Sequence, residues 1–122
     1  MPNHIHLIWE VLEGHRLSKV QRDFLKYTSQ QIKFVLAKYH PAVLKEFEVN
    51  VKDRKYRFWK DRSLPVSLYN DEIFMQKLNY IHDNPTQAHW NLSSSPEVYK
   101  YSSANFYYNQ DSTFDFLTHF SD

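Results

Sequence analysis

The sequence predicts an α+β fold built as one domain. Residues 1–12 are rich in β-branched and aromatic side chains, which is typical of a strand. Residues 18–40 and 70–85 carry apolar side chains at helical spacing, and residues 52–69 alternate in the way that predicts a hairpin. With 122 residues, the chain is long enough for one modest hydrophobic core.

The composition excludes several classes of site. The chain has no Cys, which rules out disulfide scaffolds, thiolate metal sites and cysteine nucleophiles, and its single Gly argues against glycine-rich phosphate loops. Its 15 basic and 14 acidic residues nearly balance, so a nucleic-acid surface would depend on how charge is distributed. Because it has neither a signal peptide nor a long apolar run, we expect a soluble cytoplasmic protein with no membrane partner.

Two histidines open the first predicted strand. His4 and His6 are separated by one apolar residue, so the alternation of a strand would project both imidazoles to the same side. Such a pair can supply part of the coordination shell of a divalent metal, with the remaining ligands coming from elsewhere. From the spacing alone, two surface histidines on an ordinary strand are the commoner explanation.

The first predicted helix, residues 18–40, combines an apolar stripe with a basic side. A capping box is expected at its start, and Pro41 ends it because proline is excluded from helix interiors. Arg22, Lys26 and Lys33 fall on the basic side. From spacing alone, a solvated face is favoured over a phosphate contact.

The predicted hairpin mixes basic and aromatic side chains, with Pro65 expected near its turn. Six of the eleven residues 52–62 are basic and three are aromatic. Cations can contact phosphates while rings stack on unpaired bases, so this composition suits single-stranded nucleic acid. A charged edge strand that resists aggregation explains it about equally well.

The second predicted helix begins at Asn70, whose side chain can cap it, and stops at Pro85. Tyr80 and Asn84 are four residues apart and therefore lie one turn from each other. Taken alone, this pair is typical of ordinary surface residues. The positions expected to face the core are Phe74, Leu78 and Ile81.

The C-terminal segment, residues 86–122, is rich in aromatic side chains and predicts packing around the same core. A short helix is expected after Ser102 and Ser103, and a last one near the C-terminus.

Three motifs resemble those of one family. Residues 1–7 resemble the histidine–hydrophobic–histidine (HUH) signature of single-tyrosine transposases. Residues 78–85 resemble the tyrosine helix of that superfamily, and residues 99–104 resemble a motif of its REP-associated tyrosine transposase branch. The motifs occur in the family's order, and the resemblance covers residues 1 to about 108.

The resemblance implies a metal-dependent endonuclease that cleaves and rejoins single-stranded DNA or DNA hairpins during transposition. In this family a tyrosine attacks a phosphodiester, giving a 5′-phosphotyrosine and a free 3′-hydroxyl. Tyr80 matches the nucleophile, His4 and His6 match metal ligands, and Asn84 matches the third ligand. A bound Mg²⁺ or Mn²⁺ ion would polarise the scissile phosphate.

Further DNA contacts are implied with less support. Lys26, Arg57 and Lys60 are expected to position phosphates and Trp59 to stack on a base, although charge and placement carry these four assignments rather than a motif. His82 lies on another side of its helix from Tyr80 and is expected to be structural or to contact DNA.

The family fold is a ferredoxin-like antiparallel sheet with helices on one face. Family members normally have a strand, a helix and a further stretch of strand before the histidine motif, so we expect this chain to lack an N-terminal strand. The exposed strand would favour a homodimer or make the chain unstable. Two alternatives stay open: a catalytically impaired remnant that binds single-stranded DNA or hairpins, and a structural remnant without activity.

Overall fold

A computed structural model describes residues 1–60 and 63–121, which divide between two compact units. The hairpin unit is Trp9–Pro65, and the tyrosine unit combines Met1–Ile8 with Val66–Asp122. Helices and a two-stranded antiparallel sheet together give a mixed structure, compatible with the predicted α+β class. None of the helices in the described part of the chain is long and apolar enough to cross a membrane.

The hairpin unit is dominated by helix α1 (Leu17–Tyr39), followed by the short helix α2 (Pro41–Glu46). The turn before α1 contains Gly14 with a φ of +82°, a conformation that side chains with a Cβ rarely adopt. The expected capping box is not formed, because α1 already begins at Leu17 and no side chain caps it. None of the residues of α1 is fully buried. Its half-buried side includes Phe24, Leu25, Thr28, Ile32 and Leu36.

The hairpin of this unit joins strands β1 (Glu48–Val51) and β2 (Arg54–Tyr56). It starts earlier than the predicted residues 52–69, and its turn lies at residues 52–53 rather than near Pro65. The β-branched side chains before the turn favour a strand there, and an Asp within the turn favours a tight connection. Residues 61 and 62 of the predicted hairpin lie outside the described residues.

The opening segment of the tyrosine unit corrects one expectation. Among the described residues, the structure assigns no strand to residues 1–12, which the sequence predicts as a strand. A strand needs a neighbour to take up its backbone hydrogen bonds, and β1 pairs only with β2 in the described part of the chain. Local sequence preference therefore did not produce a strand here.

Helix α3 (Asp71–Asp83) forms close to where the sequence predicts it. The Asn70 side-chain oxygen accepts a hydrogen bond from the Ile73 amide at 2.8 Å, which caps the helix. Pro85 ends it in a single 3₁₀ turn, Asn84–Thr86. Leu78 is buried on the core side, as expected.

The C-terminal part packs through a short helix and aromatic contacts. Helix α4 (Ala104–Asn109) follows Ser103, and Ala104 is fully buried. Further on, the ring of Phe120 packs on that of Phe74 with centroids 4.6 Å apart, although the expected last helix is not formed among the described residues.

Removing the cap of α3 should destabilise the tyrosine unit. We expect Asn70→Ala to lower the free energy of unfolding by about 1 kcal/mol, because the Ile73 amide loses its acceptor. Chemical denaturation measures this loss. Asn79→Ala, at an exposed position within α3, is the matched control and should be neutral or slightly stabilising. Equal effects of the two substitutions would contradict the capping role.

Candidate active site

Four residues singled out in the sequence lie together in the tyrosine unit. His6 is at the centre: its Nε2 accepts a hydrogen bond from the Asn84 amide nitrogen at 3.1 Å. The ring of Tyr80 stands nearly perpendicular to the His6 ring, with centroids 5.7 Å apart. The ring of His4 meets that of His6 edge-on at 4.9 Å. The fold thus brings the opening histidines to the end of α3.

The end of α3 determines how Tyr80 and Asn84 are presented. Asn84 keeps helical backbone angles, φ −55° and ψ −44°, so it lies one turn after Tyr80 although α3 itself ends at Asp83. Asn84 is 6% exposed, whereas Tyr80 is 60% exposed. The carboxamide is therefore shielded from solvent, and the phenol is accessible to a large molecule in solution.

His4 is oriented by neighbours that sequence reasoning missed. Its Nδ1 lies 2.8 Å from the side-chain oxygen of Asn3. Because a carboxamide oxygen can only accept, His4 carries its proton on Nδ1 and keeps the lone pair of Nε2 free. The ring of Trp90 packs against His4 with centroids 5.3 Å apart. Asn3 could have been noticed as the neighbour of a histidine, but no sequence pattern indicated Trp90.

Both imidazoles favour the neutral form. Partial burial lowers the pKa of His4, and burial together with the charge of His4 lowers the pKa of His6. At neutral pH both rings therefore keep a nitrogen lone pair, which is the form that binds a metal ion.

The donor atoms fit an octahedral divalent metal in part. The 3.1 Å between the Asn84 amide nitrogen and His6 Nε2 is a hydrogen-bond distance, and it shows that the two side chains are near enough to reach one ion. The Asn84 nitrogen faces His6, so metal binding requires the amide to turn and present its oxygen. No cluster of three or more His, Cys, Asp or Glu side chains suited to a metal occurs within residues 1–60 and 63–121. Two imidazoles and one carboxamide would thus leave the remaining positions to water or phosphate oxygens.

His82 belongs to the interior rather than to the exposed side of α3. It is 1% exposed, its Nε2 lies 3.0 Å from the Ser103 hydroxyl, and the ring of Tyr107 packs 5.5 Å from it. Burial lowers the pKa of His82, and the nearby charge of Asp83 opposes this effect. Of the two roles expected for His82, its burial favours the structural one.

The four weaker DNA-contact candidates belong to the hairpin unit. Lys26, Arg57 and Lys60 are exposed there. Trp59 is half-buried, and its indole N–H donates to the Thr28 hydroxyl at 2.9 Å. This hydrogen bond holds the indole ring against α1. The DNA contacts of all four stay predictions.

Loss of the partner of His82 should be costly. We expect Ser103→Ala to lower the free energy of unfolding by roughly 1–3 kcal/mol, because a buried imidazole nitrogen loses its hydrogen bond. Thermal or chemical denaturation tests this. Ser94→Ala at an exposed serine is the control, expected within about 0.5 kcal/mol of the unmodified chain. If Ser103→Ala lowers the free energy of unfolding as little as Ser94→Ala does, the structural role of His82 is contradicted.

Comparisons of the chain with protein-family models, with curated proteins and with solved structures each found no match. The functional interpretation therefore rests on the motifs of the sequence and on the geometry around His6.

Proposed function

We propose that this chain is a metal-dependent transposase-type endonuclease, which cleaves and rejoins single-stranded DNA through a 5′-phosphotyrosine intermediate. The supporting observation is that His6 contacts both Asn84 and Tyr80, more than 70 residues away along the chain. The same residues carry the resemblance to HUH single-tyrosine transposases of the REP-associated branch. The sequence motifs and the spatial proximity thus point to the same residues, His6, Tyr80 and Asn84.

In the proposed reaction Tyr80 is the nucleophile. Its Oη attacks the phosphorus of a DNA phosphodiester; the Oη–P bond forms and the bond from phosphorus to the 3′ oxygen breaks. The phenol proton passes to solvent, and the 3′ oxygen takes up a proton and leaves as a hydroxyl. Because the intermediate is itself a phosphodiester, a 3′-hydroxyl can attack it and rejoin DNA without a nucleotide cofactor. The exposure of Tyr80 suits this role.

The metal site of the proposal consists of His4, His6 and Asn84. A Mg²⁺ or Mn²⁺ ion bound there would polarise the scissile phosphate and stabilise the charge that develops on its oxygens. Imidazole ligands favour Mn²⁺ over Mg²⁺. The contribution of the chain itself is orientation, since Asn3 fixes the tautomer of His4 and the burial of Asn84 keeps its side chain beside His6.

The proposal also includes the wider features of the family. These are a ferredoxin-like antiparallel sheet with helices on one face, a cytoplasmic location, single-stranded DNA or hairpins as partner, and a homodimer. In support, α1 has one half-buried side, which is typical of a helix that packs against another layer.

Substitution of the nucleophile should abolish covalent chemistry. We expect the unmodified chain, incubated with a labelled DNA hairpin and Mn²⁺, to form a protein–DNA adduct that survives denaturing electrophoresis. Tyr80→Phe should form none, since the attacking oxygen is absent. Tyr69→Phe, at another exposed tyrosine of the tyrosine unit, is the matched control and should form the adduct normally.

The outcomes of this assay separate the alternatives. Binding of the hairpin without an adduct in Mg²⁺ or Mn²⁺ would overturn the enzyme and favour a DNA-binding remnant. An adduct that persists in Tyr80→Phe would reject Tyr80 as nucleophile. Absence of both binding and adduct would favour the structural remnant.

Loss of either ligand should weaken metal binding. We expect His6→Ala and Asn84→Ala each to raise the Kd for Mn²⁺ by about tenfold or more. The electron paramagnetic resonance signal of free Mn²⁺ measures this, and Tyr80→Phe should bind Mn²⁺ normally. His15→Ala, at an exposed histidine of the hairpin unit, is the control. Unchanged affinity in both ligand variants would reject this metal site.

A further inference from the structure

Charge is distributed unevenly between the two units. The hairpin unit, Trp9–Pro65, contains 13 basic and 7 acidic residues, a net charge of +6. The tyrosine unit contains 2 basic and 7 acidic residues, a net charge of −5, and the two values give the +1 of the whole chain. A polyanion is therefore attracted to the hairpin unit and repelled by the unit that carries Tyr80.

Three lysines form a line along the outer side of α1. Lys19, Lys26 and Lys33 are seven residues apart, about two helical turns, so neighbouring ammonium groups are carried roughly 10 Å apart on one side. In the part of the chain that the structure describes, none of the three lies within ion-pair distance of a carboxylate. Their charges are thus available to an external partner.

Some other basic side chains of the hairpin unit lie within ion-pair distance of a carboxylate. Arg22 contacts Asp23 at 3.1 Å, and Lys55 contacts Glu48 at 3.7 Å. These ion pairs join exposed side chains, and the three lysines of the line take part in none of them.

Each of two lysines in the line is followed by an exposed aromatic ring. Tyr27 follows Lys26 and is 63% exposed; Phe34 follows Lys33 and is 61% exposed. The opposite side of α1, at Thr28 and Ile32, is half-buried. The two rings consequently contribute little to a core. A lysine followed by an aromatic residue occurs twice, seven residues apart.

We propose that this outer side of α1, comprising Lys19, Lys26, Tyr27, Lys33 and Phe34, is a binding surface for single-stranded nucleic acid. The lysines neutralise phosphates, and the two rings stack on unpaired bases. The inference rests on the proposed function, from which the substrate class comes. It also assigns the base-stacking role to Tyr27 and Phe34 rather than to Trp59, whose indole is bonded to Thr28.

Two other partners fit the surface less well. A lipid surface needs a continuous apolar face, whereas Gln30 and Gln31 lie between the two rings. Duplex DNA would satisfy the lysines but keeps its bases stacked on one another, which leaves Tyr27 and Phe34 without a role.

The test is fluorescence anisotropy of a labelled single strand of about 20 nucleotides with the full chain, at salt between about 50 and 200 mM. Replacing Lys19, Lys26 and Lys33 by Gln should reduce the slope of log K against log salt by about two. The double variant Tyr27→Ala/Phe34→Ala should weaken binding about tenfold or more with the slope unchanged. Gln and Ala are good helix formers, and circular dichroism checks that α1 is retained.

Matched controls lie on the same helix. Tyr39→Ala removes a ring that is 61% exposed on another side of α1. Lys38→Gln removes the lysine of α1 that lies outside the line. The Lys38 ammonium lies over the Tyr39 ring. Both should bind the single strand like the unmodified chain.

The proposal is overturned if the aromatic and lysine variants bind as the unmodified chain does. It is also overturned if the surface binds phosphatidylglycerol vesicles and no single-stranded DNA. Binding through α1 without a Tyr80 adduct would overturn the proposed function and support this surface. If the α1 variants form the Tyr80 adduct at the normal rate and affinity, this surface is overturned and the proposed function is supported.

Discussion

The hydrogen bond between the Asn84 amide and the His6 imidazole is the interaction on which the candidate site depends. Asn84 is 6% exposed, and a carboxamide buried to that extent needs a partner to offset its lost hydration. The opening segment has no strand pairing among the described residues. This bond and the packing of His4 on Trp90 therefore hold the segment against the end of α3.

Around that bond, one helix satisfies two opposite requirements. A nucleophile has to be reached by a large substrate, whereas metal ligands have to be held in fixed positions. Helical periodicity places Tyr80 outward and turns His82 into the interior, and the 3₁₀ turn after α3 buries Asn84. Tyr80 lies beside His6 of its own chain.

Several features that depend on local interactions were predicted from the sequence. Asn70 and Pro85 defined α3, and the spacing of Tyr80 and Asn84 on it followed from helical geometry. Features that depend on distant partners were not predictable in this way. The opening segment was expected as a strand, but its pairing depends on neighbours. For Trp59, the sequence did not indicate that Thr28, 31 residues away, accepts its N–H.

Charge distribution gives a physical reason for dividing the proposed work between the units. The tyrosine unit carries a net charge of −5, with Lys77 and Lys100 as its basic residues, so it has little capacity to stabilise charge on a reacting phosphate. A divalent cation at His4 and His6 would supply positive charge at the reacting centre, where it is needed for the transition state. The hairpin unit, whose net charge is +6, would contribute affinity for DNA in the proposed function. Ionic strength should therefore affect binding more strongly than it affects the chemical step, because screening acts on the exposed lysines more than on a coordinated ion.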